Sequence, residues 1–214
     1  MGREFLTIFD DWAENYDDTV SGLDPEYSRV FAKYEEILEA VVHHTKGPVL
    51  EFGPGTGNLA KKIIAAGYEY IGIEPSKAMR EKFRKKLPKV SLYDGDFLRY
   101  PVFSIPIQTI VSTYAFHHLT NEEKETAVKK FSKTLSDNGT IVFADTMFRS
   151  EKERLNEVAR AKKQGYTTLA EDLEREYYPT ITFLKQLFKR NNFTIEMHQM
   201  NDFVWLLVAE KKSE

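Results

Sequence analysis

Residues 49–60 read VLEFGPGTGNLA. A short apolar run carrying one carboxylate, Glu51, leads into three glycines at alternate positions, Gly53, Gly55 and Gly57, and then into helical sequence. Glycine weakens strand and helix alike, so three in five positions mark a turn that side chains would obstruct. A strand, a sharp turn and a helix form the first unit of an alternation that continues along the chain.

Working outward, residues 57–66 read as a helix with Leu59 and Ile63 inward, and YEYIGIE (68–74) reads as a strand. A helix over 76–87 and a strand over 89–96 follow, then a strand over 107–113. Thr120 and Glu123 form a capping box for a helix over 121–135. GTIVFADTMF (139–148) is a long strand, 151–175 a polar helical stretch, and 181–190 a helix burying Phe183, Leu184, Leu187 and Phe188. Two closing strands, 193–200 and 203–211, are joined through Asn201-Asp202, too tightly for a crossover helix, so they form an antiparallel hairpin. Upstream, apolar spacing of three and four predicts a helix over 26–43, and an amphipathic helix over 4–18 with Phe5, Ile8, Phe9 and Trp12 on one side. The expected fold class is α/β: a doubly wound, mostly parallel sheet with a C-terminal antiparallel hairpin.

The 214 residues are 42% hydrophobic, ample for a core. No apolar run approaches the ~20 residues that span a bilayer, and the acidic, amphipathic start does not resemble a signal peptide. The chain has no cysteine, which excludes disulfides, thiolate metal sites and a cysteine nucleophile and fits a cytoplasmic protein. Net charge is −3, with Lys and Arg interleaved among acids as in REKFRKK (80–86), so no basic face for nucleic acid is expected.

Ligands of such a sheet bind beyond the carboxyl ends of the strands, where the glycine turn lies. The spacing is G-x-G-x-G, not G-x-G-x-x-G, and no G-K-[ST] follows, so a pyrophosphate is not the obvious guest. Glu51 would repel a phosphate and suit an ammonium or sulfonium. Glu74 ends the second strand, where an acid accepts ribose hydroxyls. In DGDF (94–97), Asp96 can accept from an adenine amino group with Phe97 beside the ring.

Together these residues resemble the class I S-adenosylmethionine-dependent methyltransferases, over 49 to about 148. The resemblance implies that Glu51, Gly53, Gly55 and Gly57 hold the cofactor's methionine part, that Glu74 holds its ribose, and that Asp94 or Asp96 reads its adenine. Asp96 is preferred because it precedes Phe97. FDDWAENYDD (9–18) is similar to a cofactor-covering helix of small-molecule methyltransferases, F-D-x-x-A-x-x-Y-D, whose tyrosine, here Tyr16, lies near the substrate. Length and motif order are similar to a group of small predicted methyltransferases of bacilli, the YrrT group. A single domain over 1–214 is expected, with an N-terminal helical cap over about 1–45 and a helical insert over about 150–180, where this family often builds a substrate lid.

The expected activity is methyl transfer from S-adenosylmethionine to a small-molecule acceptor, by a monomer or homodimer without nucleic-acid or membrane partners. STYAFHHLT (112–120) lacks the Asn/Asp-Pro-Pro-aromatic run of amino-methylating nucleic-acid enzymes and resembles the small-molecule branch. His117 and His118 are the candidate bases, of which at most one is expected to face the substrate because neighbours in sequence point apart. Asp145, Arg149, Tyr177 and Tyr178 are expected near the same rim. No metal site is expected, since neither His43-His44 nor His117-His118 has a third ligand at convincing spacing. Two alternatives remain. One is a non-catalytic protein that keeps the cofactor. The other is a nicotinamide oxidoreductase, disfavoured by the glycine spacing and by the absence of a Tyr-x-x-x-Lys pair, Tyr177 being followed at four by Ile181.

Overall fold

A computed structural model of the chain describes residue 14 and residues 16–212. Its strands are β1 (Val49–Phe52), β2 (Tyr70–Ile73), β3 (Ser91–Tyr93), β4 (Ile107–Thr113), β5 (Leu135–Thr146), β6 (Phe193–Gln199) and β7 (Val204–Lys211). They form one sheet in the order β3-β2-β1-β4-β5-β7-β6. The first five run parallel, while β7 lies antiparallel between β5 and β6. This is the doubly wound, mostly parallel sheet with a closing hairpin that the alternation implied.

The covering helices are α1 (Tyr34–His43), α2 (Asn58–Ala65), α3 (Lys77–Lys86), α4 (Asn121–Thr134), α5 (Glu151–Gln164), α6 (Thr167–Arg175) and α7 (Ile181–Arg190). Strand residues alternate between two cores. Val49, Val111 and Val142 pack with Ile37, Leu38 and Ile63 from α1 and α2. Leu50, Ile110 and Ile141 pack on the other face with Phe131 of α4 and Leu184 of α7. With both faces covered, period-two alternation becomes a uniformly apolar run, which is why β1 is buried at all four positions. The capping box of Thr120 and Glu123 opens α4 as expected. Among the described residues no helix is long and apolar enough to cross a membrane.

Three boundaries differ from expectation. The helix expected over 26–43 begins only at Tyr34, after Lys33 in the left-handed region at φ 62. A distant side chain takes the carbonyls needed upstream: Asn201 Nδ2 donates to Val30 O at 2.9 Å and Ala32 O at 2.8 Å. The helical stretch over 151–175 is two helices, α5 and α6, with a turn at Gly165-Tyr166. β5 starts at Leu135, directly after α4, because Leu135 pairs with Ile107 while the ladder resumes only at Thr140 opposite Thr109, so 136–139 bulge out. The helix expected over 4–18, including Phe5, Ile8, Phe9 and Trp12, falls mostly outside the described residues. Its end, Tyr16–Asp18, is a short helical turn running into a π-type turn at Thr19–Leu23.

Candidate active site

The chain leaves β1 toward β2 and β3, then returns to β4 on the other side of β1. The loops at this reversal diverge and leave a crevice at the carboxyl ends of the strands. A cleft lies there, and Gly53, Gly55, Glu74, Asp96, Phe97 and Tyr16 are among its walls.

Gly53, Gly55 and Gly57 have φ of 68°, 56° and 92°. At Gly55 a Cβ would meet nothing within 4 Å, so bare main chain faces the open cleft. At Gly57 a Cβ would lie 2.9 Å from the Phe83 ring, so only glycine lets α2 begin this close to α3. One glycine therefore serves the cleft and the other the packing behind it. Gly53 lines the cleft opposite Ala115.

Glu74 is buried, and its Oε2 accepts from Gly55 N at 3.0 Å while Oε1 accepts from Ser76 N at 2.8 Å. Burial pushes its carboxyl up to about 7 against those two N–H donors. Asp96 is also buried and lines the cleft, its Oδ1 accepting from Leu98 N at 2.9 Å and Arg99 N at 3.0 Å. Asp94 is 65% exposed and pairs with Arg80 outside the cleft, which favours Asp96. Phe97 stacks on Phe52 at 5.1 Å, and both line the cleft.

Glu51 is fully buried and does not line the cleft. In register with Gly72 and Val111, it points to the α1–α2 face of the sheet. Tyr70 Oη donates to its Oε2 at 2.6 Å, and Gly72 leaves room for that contact, since a Cβ there would lie 2.9 Å from the hydroxyl. Burial pushes the Glu51 carboxyl up to about 8 despite the Tyr70 bond. Among the described residues its Oε1 and the hydroxyl of Tyr114 have no hydrogen-bond partner, and both are buried. Such atoms cost about 1–3 kcal/mol each unless something reaches them. Tyr114 also sits at φ 52, a left-handed position that costs roughly 1–2 kcal/mol for a non-glycine residue. It lines the cleft, and its ring packs 4.9 Å from Phe31. The unpaired Tyr114 hydroxyl at the cleft wall, beside a glycine turn with an open face, fits an amino-acid-bearing nucleoside.

A second cavity adjoins the first, sharing Tyr16, Tyr114 and His118 with it. Its walls come from three distant parts of the chain. Tyr27, Val30 and Phe31 precede α1, His117 and His118 follow β4, and Asp172, Glu176 and Tyr178 come from α6 and its exit. The first and last parts are fastened together: the Tyr27 hydroxyl donates to Asp172, Leu169 N donates to Glu26 at 3.0 Å, and Arg29 pairs with Glu157 at 2.8 Å.

The histidines depart from expectation. Residues 116–118 form a 3₁₀ turn, and both imidazoles reach one carboxylate: His117 Nε2 lies 3.3 Å and His118 Nε2 3.5 Å from Glu176. Neighbours in an extended strand diverge, but this turn brings the two ring centres to 4.1 Å, their planes tilted by 39°. Sequence spacing offers neither histidine pair a third ligand; in the fold Glu176 comes beside His117 and His118 from the far end of α6. His117 Nδ1 lies 2.5 Å from Asp145 Oδ1. Burial opposes its charge, but Asp145 and then Glu176 push the His117 imidazole up to about 10. Tyr178 stacks on His117 at 4.8 Å. Arg149 instead pairs with Glu153 and lies over Trp205, and Tyr177 is exposed. Sequence reading did not single out Tyr114, Tyr27, Asp172 or Glu176. Only Tyr114, three residues before His117 in STYAFHHLT, had a local cue.

The family model described as a methyltransferase domain matches residues 26–198. An uncharacterized methyltransferase of Oceanobacillus iheyensis is 54% identical over 211 residues, covering 99% of each chain. The uncharacterized methyltransferase YrrT of Bacillus subtilis is 48% identical over 213 residues, covering 99% of this chain and 100% of its own. Among solved structures, magnesium protoporphyrin IX methyltransferase from Synechocystis with bound SAM superposes with a TM-score of 0.65 over 97% of both chains. At 14% identity that likeness concerns the fold alone.

Proposed function

The chain belongs to the methyltransferase domain family, and from that membership we propose that it moves a methyl group from S-adenosylmethionine to a small-molecule acceptor in the second cavity. The carrying observation is the junction: two cavities meet at Tyr16, Tyr114 and His118, as donor and acceptor sites of a direct transfer must. When bound, S-adenosylmethionine supplies an electrophilic methyl, whose carbon–sulfur bond breaks with its electron pair left on sulfur as the acceptor's lone pair bonds to carbon.

The protein's part is alignment, which can supply roughly 7–11 kcal/mol. The turn at Gly53–Gly57 receives the methionine end with the buried Glu51 carboxylate behind it, Glu74 accepts from the ribose hydroxyls, and Asp96 with Phe97 receives the adenine. Tyr16, His117 and His118 are acceptor-side residues. A cavity walled by tyrosines and carboxylates suits a small polar acceptor.

Calorimetric titration tests the cofactor. S-adenosylmethionine and S-adenosylhomocysteine should bind and NAD should not, while failure of both adenosyl ligands overturns the reading. Glu74→Ala should weaken binding at least roughly tenfold, since charge-assisted hydrogen bonds contribute about 1.5–3 kcal/mol each. Part of that loss comes from the Gly55 N–H released from Glu74, so Glu74→Gln should fall between the two.

Affinity should also depend on pH. Hydroxyl donors and a cationic ligand favour ionised Glu74 and Glu51, whose carboxyls are pushed up to about 7 and about 8. Binding should therefore strengthen from about pH 6 to pH 8, by at most about tenfold per pH unit for each of the two groups. For the free protein the sign is opposite. Raised carboxyl pKa values give stability that is complete below the unfolded value of about 4.5, and it is lost as pH rises through about 7 and 8. The unfolding temperature should fall over that window, and the cofactor should restore it.

A further inference from the structure

His117, His118 and Glu176 offer three ligand atoms within 4.8 Å of one another, all in the acceptor cavity. We propose that these residues bind one divalent transition-metal ion of the zinc type, opening toward the acceptor. Its use in methyl transfer rests on the reading above, whereas its existence does not.

The spacing argues for it first. Ligand atoms about 2.1 Å from a tetrahedral centre stand about 3.4 Å apart. His117 Nε2 lies 3.3 Å from Glu176 Oε2 and His118 Nε2 3.5 Å from its other oxygen, Oε1, so each ring faces one oxygen of a carboxylate that can offer both to one ion; an N–H···O hydrogen bond is about 2.7–3.2 Å. Both separations match the edges of a coordination polyhedron better than direct bonds.

The surroundings argue for it next. Histidine ligands of metals characteristically direct their other ring nitrogen to a carboxylate or a backbone carbonyl, which fixes the tautomer. Both arrangements occur here: His117 Nδ1 lies 2.5 Å from Asp145 Oδ1, and His118 Nδ1 lies 3.0 Å from Ala115 O. Each leaves Nε2 facing Glu176. The carboxylate is held as well, since Tyr178 Oη donates to Glu176 Oε2 at 2.5 Å. Two further contacts fix the backbone: His117 N donates to Asp145 Oδ2 at 3.0 Å, and Lys124 Nζ donates to Tyr177 O at 2.7 Å, beside Glu176. Every ligand is oriented by a second group before any ion arrives.

Two histidines and one carboxylate leave at least one position open, as catalytic rather than structural sites do. An ion there is a Lewis acid for a hydroxyl or thiol of the acceptor. The acceptor class is then a small alcohol, phenol or thiol: its proton passes to solvent, its lone pair forms the bond to the methyl carbon, and the sulfonium becomes a thioether.

The test is a titration of chelator-stripped full-length protein with Co²⁺, read by visible absorption, followed by displacement with Zn²⁺. One Co²⁺ per chain, with the intense bands of a low-symmetry site bleached by Zn²⁺, is expected. Glu176→Gln and His118→Ala should abolish it, and Asp145→Asn should weaken it about 10–100-fold, as loss of an outer-shell partner does. Thermal melts establish that each variant is folded. No absorption in the wild type, or absorption unchanged in folded Glu176→Gln, overturns the proposal. Co²⁺ binding without S-adenosylhomocysteine binding would instead overturn the methyl-transfer reading and leave the ion site standing, and the reverse result would do the opposite.

Discussion

Gly55→Val should bind S-adenosylmethionine at least about a hundredfold more weakly, a loss of about 2.7 kcal/mol or more. The position faces the open cleft, with nothing within 4 Å of where its Cβ would stand. A valine there projects two methyl groups into the volume reserved for the ligand. It also holds a β-branched residue at φ 56, which costs the fold roughly 1–2 kcal/mol. Melting temperature and calorimetry separate the two effects: the protein should still unfold cooperatively, a few degrees lower, yet not bind. Near-native affinity in this variant would remove the cofactor from the glycine turn.

The second large effect concerns Lys124, which is fully buried in α4. Its ammonium donates to Leu119 O and, at 2.7 Å, to Tyr177 O, and lies 5.8 Å from the centre of the Phe116 ring. It thus fastens the segment after β4 to the segment leaving α6, the two that carry His117, His118 and Glu176. Lys124→Met keeps most of the volume but strands two carbonyls. Losing two charge-assisted hydrogen bonds should cost about 3–5 kcal/mol. At roughly 2–4 °C per kcal/mol for a chain of this size, the unfolding temperature should drop by roughly 10 °C. Because burial pushes the amine down to about 7, the melt is best recorded near pH 6. An unchanged melting temperature would mean that the two carbonyls find other donors.

What could be read in advance follows from what is local. The glycine turn, the acids ending β2 and following β3, and the capping box of α4 are written within a few residues of where they act. The sheet order follows from apolar strands separated by helices, together with a closing pair too near for a crossover. What was misread depends on contacts between distant residues. Asn201 holds the carbonyls of Val30 and Ala32, so α1 starts eight residues later than its periodicity indicates. Glu51, beside the glycines in sequence, belongs by register to the opposite face, where it meets Tyr70. Glu176 lies 58 positions beyond His118 and meets it only because α5 and α6 fold back over the sheet. The 3₁₀ turn that aligns His117 with His118 leaves no mark in the hydrophobic pattern.

Among the described residues the two cavities share only Tyr16, Tyr114 and His118. Apart from these, the first is built mainly from strand ends and the glycine turn, and the second largely from the stretch before α1 and the helices after β5. Inherited change therefore meets two compartments with a narrow border. Drift in the roof alters which molecule is accepted while the donor's berth stays intact, and a duplicated copy can acquire a new clientele without learning anew how to hold its reagent.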